Sequence, residues 1–235
     1  MRIAIIGGHG KTGQAVSAGL AERGAPSTSL GRADWPHLVT ALQDCTVAYL
    51  IAPNLHPDEP AYVRAALDAF REAGVGRVVY HSVASPYAPD MPHHLGKAVG
   101  EDLVRRSGLR WTILQPGAYL QNLDLSRPVR VPYRVDRRFG FLDLVDLGRA
   151  AATVLVEPGH AGATYELATR QASVADLAAE AGVTAERVPD GGTMDGLDDR
   201  ERTWLSAMFA YYDRYGLLVG LRPLRSLLAD PPPAP

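Results

Sequence analysis

The stretch Ile3-Ala4-Ile5-Ile6-Gly7-Gly8-His9-Gly10-Lys11-Thr12-Gly13 decides the fold of this chain. Its apolar run, from Ile3 to Ile6, predicts a strand that is buried on both faces. The glycines that follow are spaced G-x-x-G-x-x-G, and a helical pattern comes after them. A strand, a glycine-rich turn and a helix in this order predict a dinucleotide site, because backbone N–H groups at the helix N-terminus face the phosphates.

Each glycine of this loop has a separate predicted role. Gly7 permits the sharp exit from the strand, Gly10 lets a pyrophosphate approach the backbone, and Gly13 lets the helix pack closely on the sheet. Together with Lys11 and Thr12 they form the predicted phosphate-binding part of a cofactor site. A turn without a ligand is the alternative, but the position directly after a first strand favours the cofactor.

Composition and charge limit the kinds of binding partner and the cellular location that are expected for this chain. The chain has 235 residues, a formal net charge of -2 and no basic stripe, so neither nucleic acid nor an anionic membrane is expected. No apolar run approaches the ~20 residues of a membrane helix, and a strand that begins near residue 2 leaves no room for a signal peptide. Cys45 is the single cysteine, so we expect no intrachain disulfide and a reducing, cytoplasmic location.

The end of the second predicted strand, 25–30, bears on the choice of cofactor. NAD-preferring proteins place an acid there that binds the ribose 2′-hydroxyl, whereas this chain has Arg32. An arginine can clamp a 2′-phosphate through its planar fork, and Lys11 can add a second positive charge. We therefore expect NADP(H) to be preferred over NAD(H), the alternative being that Arg32 is a surface charge without a ligand.

Alternating strand and helix patterns follow along the chain. Strands are predicted at 46–51, 76–82 and 111–115, which implies an α/β fold with a doubly wound, mostly parallel Rossmann-type sheet. Too few residues lie between Leu30 and Asp34 for the usual helix and third strand. The third strand is therefore predicted to be missing, with the second strand at the sheet edge, and Asp34 is expected to cap the next helix.

The order of these motifs resembles the NmrA-like members of the atypical short-chain dehydrogenase/reductase group. The likeness covers roughly residues 1–170 and is carried by four stretches, Gly7 to Gly13, Gly74 to Ser82, His93 to Gly117, and Phe141 to Ala150. It implies an NAD(P)-binding Rossmann domain in which the strand at 162–167 joins the central sheet. The chain departs from the family in the deleted third-strand segment, a short C-terminal part and a proline-rich tail, Pro231 to Pro235.

The resemblance also bears on catalysis. The wider superfamily uses a helical Tyr-x-x-x-Lys, in which the lysine holds the nicotinamide ribose and the tyrosine donates a proton. Lys97 matches the lysine, but His93 stands at the tyrosine position. Residues four apart share a helix face, so His93 is the acid, a hydrogen-bond partner of the substrate, or a helix residue without chemistry. Ser82 is a weaker catalytic candidate, because serines at strand ends often satisfy turns.

Strand ends contribute the other predicted cofactor contacts, because dinucleotides bind at the carboxyl edge of such sheets. These residues are Ala52, Pro53, His81, Ser82, Lys97, Pro116, Gly117, Ala118 and Tyr119. His81 has the alternative interpretation of a core histidine with satisfied hydrogen bonds. No metal site is expected, because the adjacent His93 and His94 diverge by ~100° on a helix.

Aromatic residues dominate the predicted substrate lobe. Substrate contacts are predicted at Ser85, Tyr87, Tyr119, Asn122, Tyr133, Trp204, Phe209 and Tyr212. Such a stripe is more often core packing, although substrate sites are also largely apolar. The predicted cofactor domain comprises 1–118 and about 140–170, the substrate lobe 119–139 and 171–225, and the tail 226–235 is predicted to be disordered.

Two main functions and a third option remain. The resemblance implies an NADPH-dependent reductase that transfers hydride to a small aromatic, quinone or ketone substrate, a class that includes natural-product intermediates. A non-catalytic NADP(H)-sensing regulator is the alternative; the missing tyrosine favours it, and the aromatic helix disfavours it. The third option is an NAD(P)-dependent isomerase or epimerase. The expected partner is a small molecule, and the expected assembly is a monomer or a homodimer.

Overall fold

A computed structural model of the chain describes residues 2–189 and 194–229. Six strands form its central sheet: β1 (Ile3–Ile6), β2 (Ser27–Leu30), β3 (Val47–Leu50), β4 (Arg77–His81), β5 (Arg110–Pro116) and β9 (Ala163–Leu167). Their order is β2-β1-β3-β4-β5-β9, and every neighbouring pair is parallel. The predicted parallel sheet is confirmed, as is the return of the strand near residues 162–167 to its edge.

Helices cover both faces of this sheet. One face carries α1 (Lys11–Glu22), α5 (Leu144–Val156) and α8 (Arg222–Leu228), and the other carries α2 (Leu38–Ala41), α3 (Glu59–Glu72) and α4 (Pro92–Arg105). Ile3 and Ile5 pack with the first group, whereas Ala4 and Ile6 pack with the second, because successive side chains of a strand point to opposite faces. Both cores are apolar, as the continuous apolar run of β1 predicts.

The missing third strand is confirmed. β2 pairs with β1 alone and lies at the edge of the sheet. Only a 3-10 helix, Arg32–His37, and the single turn of α2 connect β2 to the region before β3. Asp34 accepts a hydrogen bond from the backbone N–H of Gly31 at 2.7 Å, so it stabilises the start of this helix from its third position.

A second structural region lies beyond the carboxyl edge of the sheet. It contains β6 (Ala118–Tyr119), β7 (Val129–Val131), β8 (Arg138–Leu142), β10 (Arg170–Ser173), β11 (Ala185–Arg187), α6 (Val174–Glu180) and α7 (Asp199–Tyr215). The strands form two small sheets, β10-β8-β6 and β11-β7, neither of which the sequence patterns predicted. A third apolar core, which includes Phe139 and Tyr212, joins these elements.

The predicted domain boundaries stay a prediction, but two structural facts bear on them. Helix α8, which the prediction largely assigned to the substrate lobe, packs Leu224 and Leu227 into the core beneath α1 and α5. Of the predicted tail, 226–235, residues 226–228 belong to α8, whereas 230–235 lie outside the described residues. Among the helices that the structure describes, none is long and apolar enough to cross a membrane.

Candidate active site

The loop between β1 and α1 has the geometry of a phosphate site. Gly7 has a positive φ of 78°, which permits the sharp exit from β1. A Cβ at Gly13 would lie 2.5 Å from the carbonyl oxygen of Gly7, so a side chain there would push the helix off the loop. Both predicted roles are confirmed, while that of Gly10 stays a prediction.

The first turn of α1 presents unused hydrogen-bond donors. Gly10 precedes the helix and provides no side-chain cap. Within the described chain, the backbone N–H groups of Lys11, Thr12 and Gly13 have no acceptor. Three free donors at the positive end of a helix suit an anion, so this loop fits a dinucleotide pyrophosphate.

Arg32 lies at the end of β2, the position from which contact with a 2′-phosphate is predicted. It follows the end of β2, is exposed, and forms no ion pair with the residues that the structure describes. The ring of His9 packs against Gly31, the residue before Arg32, since a Cβ on Gly31 would lie 2.5 Å from His9 Cδ2. The sequence patterns did not single out His9, since its contact depends on the approach of two loops.

Lys11 contacts the segment after β5, and its predicted role as a second charge for the 2′-phosphate stays a prediction. Its Nζ donates to Asn122 Oδ1 at 2.6 Å and lies 5.8 Å from the centroid of the Tyr119 ring. The helix start therefore directs this ammonium toward the segment after β5. Asn122, a predicted substrate contact, is thus placed beside the glycine loop.

A buried hydrogen-bonded chain connects β3, β4 and the segment after β5. The hydroxyl of Tyr49 lies 2.7 Å from His81 Nδ1, and His81 Nε2 lies 2.8 Å from the hydroxyl of Tyr119. Burial and the charge of Lys97 lower the pKa of His81 to about 3, so its ring is neutral at physiological pH. His81 is therefore a satisfied buried histidine that also positions Tyr119.

Lys97 lies in a buried ion pair. Its Nζ is 2.7 Å from Glu59 Oε1, and both side chains are almost completely buried between α3 and α4. Tyr80 donates a second hydrogen bond to the same oxygen at 2.6 Å, whereas Glu59 Oε2 has no partner in the described structure. The sequence patterns missed Glu59, because an acid in the first turn of a helix is ordinarily explained by the helix dipole.

His93 shares a helix face with Lys97, as the spacing predicts. Burial, followed by the charge of Lys97, lowers the pKa of His93 to about 3, and burial lowers that of His94 to about 4. A histidine with so low a pKa is neutral near pH 7 and is a poor proton donor. The lowered pKa therefore argues against His93 as the acid and leaves its other predicted role, a hydrogen-bond partner of the substrate.

Helix α7 lies over His93. The rings of His93 and Trp204 are nearly parallel, with an interplanar angle of 25° and centroids 6.2 Å apart. Arg200 stacks on Trp204 at 4.7 Å and donates to the carbonyl oxygen of Leu55 at 2.7 Å. These contacts connect α7 to the loop after β3 and place Trp204 near the predicted catalytic helix.

Ser82 and Tyr87 are held by a separate polar network. Ser82 donates to the fully buried Glu101 at 2.6 Å. The hydroxyl of Tyr87 accepts from Arg105 at 3.1 Å, on the same helix as Glu101 but one turn further on. Both residues contact Glu101, which lies one helical turn after Lys97 on α4 and which the sequence patterns did not identify. The predicted catalytic role of Ser82 stays a prediction.

The remaining predicted contacts fall into three groups. At the carboxyl edge of the sheet, after β3 and β5, lie Ala52, Pro53, Pro116, Gly117 and Ala118. Ser85 has a positive φ of 53°, and its carbonyl oxygen accepts from His94 Nδ1 at 3.3 Å. The lobe core contains a packed aromatic cluster, Tyr133, Phe139, Phe209 and Tyr212. The lobe aromatics are therefore mainly packing residues, apart from Trp204.

Metal chemistry has no visible basis in the described residues. Across residues 2–189 and 194–229, no group of three or more histidine, cysteine, aspartate or glutamate side chains has an arrangement that can hold a metal ion.

Comparison with known proteins identifies relatives that share this architecture. No protein-family model matches the chain. The NAD(P)H azoreductase of Xenophilus azovorans is 31% identical over 159 residues, which are 64% of this chain and 55% of the relative. Quinone oxidoreductase 2 of Escherichia coli is 29% identical over 172 residues, which are 68% of this chain and 59% of the relative. The matches thus span less than two thirds of either curated relative.

Solved structures cover nearly the whole chain. Triphenylmethane reductase of Citrobacter sp., complexed with NADP(H), has a TM-score of 0.79 at 18% identity and covers 99% of this chain and 97% of its own. A mutant of NmrA has a TM-score of 0.73 at 18% identity and covers 97% of this chain and 90% of its own. The resemblance to the NmrA-like, atypical short-chain dehydrogenase/reductase proteins is therefore confirmed at the level of the fold.

Proposed function

We propose that this protein is an NADPH-dependent reductase of small, planar conjugated substrates such as quinones or azo compounds. The observation that carries the proposal is the set of three free N–H groups at the start of α1, with Arg32 at the end of the neighbouring strand. The named relatives, an azoreductase, a quinone oxidoreductase and a dye reductase, support the same reaction class. The cytoplasmic location, the oligomeric state and a role in natural-product biosynthesis stay predictions.

The residues of the chain have distinct roles in this proposal. The N–H groups of Lys11, Thr12 and Gly13 bind the pyrophosphate, and Arg32 binds the 2′-phosphate. NADPH, when bound, supplies the hydride. The strand-end residues after β3 and β5 line the cofactor crevice, and Lys97, whose ammonium is paired with Glu59, is the candidate contact of the nicotinamide ribose. His93 and Trp204 form the aromatic side of the substrate site.

Replacing Arg32 with alanine is expected to weaken NADPH binding by about tenfold to thirtyfold, because a charge-assisted pair with the 2′-phosphate is lost. NADH lacks that phosphate, so its Kd should change less than about twofold. Fluorescence titration with both nucleotides measures the difference. Arg225→Ala is the matched control, since this exposed arginine lies on α8 at the far side of the sheet from β2. Equal weakening of both nucleotides would refute the role of Arg32.

Replacing Trp204 with alanine is expected to raise the KM for an aromatic substrate by about tenfold, because stacking on one ring face is lost. The Kd for NADPH should stay unchanged, since no cofactor contact is assigned to α7. Tyr215→Ala, an exposed aromatic at the end of the same helix, is the control. An unchanged KM for Trp204→Ala would remove this residue from the substrate site.

The decisive test of the proposed function is a titration with NADPH followed by turnover at 340 nm. The panel contains a naphthoquinone, a benzoquinone, an azo dye and a triphenylmethane dye. Tight binding with substrate-dependent loss of absorbance supports the reductase. Tight binding without oxidation across the panel favours the NADP(H)-sensing regulator, a class suggested by the structural likeness to NmrA.

A further inference from the structure

The chain of hydrogen bonds through Tyr49, His81 and Tyr119 has a direction. Tyr49 is fully buried in β3, and among the described residues His81 Nδ1 is the partner of its hydroxyl, at 2.7 Å. A buried hydroxyl proton without an acceptor is costly. Tyr49 therefore donates to Nδ1, which must be the unprotonated nitrogen of the ring.

This donation settles the protonation of the second ring nitrogen. His81 is neutral at physiological pH and carries one proton, because burial and the charge of Lys97 lower its pKa to about 3. With Nδ1 accepting, the proton lies on Nε2, which donates to the hydroxyl oxygen of Tyr119 at 2.8 Å. The hydroxyl hydrogen of Tyr119 is then not used by His81.

Tyr119 lies beside the predicted phosphate-binding loop. It follows β5 at the carboxyl edge of the sheet, and its side chain reaches the first turn of α1, where the Thr12 side chain hydrogen-bonds to its hydroxyl and Lys11 lies over its ring. Burial raises the pKa of Tyr119, so the phenol is protonated at neutral pH. Tyr119 as a whole is only partly buried, so part of this residue faces the crevice.

We infer that Tyr119 is the catalytic proton donor of this protein, and that Tyr49 and His81 are positioning residues that aim its hydroxyl hydrogen at the substrate. The inference rests on the proposed reductase function. It assigns the role of the tyrosine missing from position 93 to a residue that enters the crevice from a different element, the segment after β5.

The proposed step balances in atoms and electrons. The substrate accepts a hydride from NADPH, and the O–H bond of Tyr119 breaks as a new O–H or N–H bond forms on the substrate. The resulting phenolate takes a proton from water, because Tyr49 is buried and has no outlet to solvent. The Lys11 ammonium, 5.8 Å from the ring centroid, favours the transient negative charge.

The test compares Tyr119→Phe, Tyr49→Phe and the control Tyr165→Phe in the full chain, with NADPH and a naphthoquinone. Tyr119→Phe is expected to lower kcat by about 100-fold to 1000-fold while the Kd for NADPH changes less than about twofold. Tyr49→Phe should lower kcat by about tenfold, because the imidazole is free to flip its proton. The hydroxyl of Tyr165 lies 2.9 Å from His160 Nδ1, and Tyr165 belongs to β9, the edge strand opposite β2. Removing this hydroxyl should therefore leave kcat unchanged.

A second readout does not depend on activity. Nitrogen-15 NMR of the histidine rings should show His81 with a protonated Nε2 and an unprotonated Nδ1, and Tyr49→Phe should disturb this tautomer. A protonated Nδ1 in the unsubstituted protein would overturn the inference. So would an active enzyme in which Tyr119→Phe keeps its kcat, or loses only NADPH affinity. Absence of turnover by the unsubstituted protein would instead overturn the proposed function, together with the catalytic role.

Discussion

Lowering the pH from 7.5 to 5.5 is expected to reduce the free energy of unfolding by about 4 kcal/mol, roughly 1.4 kcal/mol for each of three buried histidines. His81, His93 and His94 have pKa values lowered to about 3, 3 and 4, in each case chiefly by burial. In the unfolded chain they titrate near ~6.5. The unfolded state therefore binds more protons below that pH, and stability is lost as the pH falls from ~6.5 toward the folded pKa values.

Urea unfolding followed by tryptophan fluorescence at several pH values measures this loss. His93→Phe keeps the ring beside Trp204 and should remove about a third of the pH dependence. His37→Gln is the control, since this exposed side chain is the last residue of the 3-10 helix Arg32–His37 and is not one of the buried rings. Carboxylates contribute at lower pH, because their reference pKa values lie near ~4. A change below about 1 kcal/mol between the two pH values would show that the buried rings are not neutral.

The main sheet was predictable because its signals are local. The apolar run of β1, the glycine loop and the spacing of α1 all occur within the first 22 residues, and the structure reproduces them within one residue. The two small sheets were not predictable, because β7 and β11 have three residues each and pair with partners far away in the chain. A strand of three residues is too short to show the alternation of apolar and polar side chains from which a strand is predicted.

The site was predictable in outline but not in its pairings. The spacing of His93 and Lys97 correctly predicts a shared helix face. The partner of each polar group, however, depends on elements that are distant in sequence, as when Glu101 engages Ser82 or Glu59 engages Lys97. The role of Tyr49 was not predictable for a similar reason: a tyrosine in a buried apolar strand is predicted to be a core residue.

Replacing Lys97 with methionine is expected to lower the free energy of unfolding by about 3–5 kcal/mol, because the carboxylate of Glu59 remains buried without its cation. Tyr80 would still donate to Glu59 Oε1, but Oε2 already has no partner in the described structure. A lower activity of Lys97→Met could therefore arise either from its lower stability or from a catalytic role of Lys97. Thermal and urea unfolding measure the loss of stability.

The double variant Glu59→Gln with Lys97→Met separates the two effects. With both charges removed, its stability should return to within about 1 kcal/mol of the original protein, since a neutral pair of similar volume avoids the desolvation cost. If Lys97 also supports turnover through its charge, kcat of this stable double variant should still be lower by about 100-fold. Glu59→Gln alone leaves Lys97 buried without its anion, so it should lose stability as Lys97→Met does, which makes it the matched control for breaking the pair from the other side. Full kcat in the double variant would show that Lys97 acts only as one half of a structural ion pair.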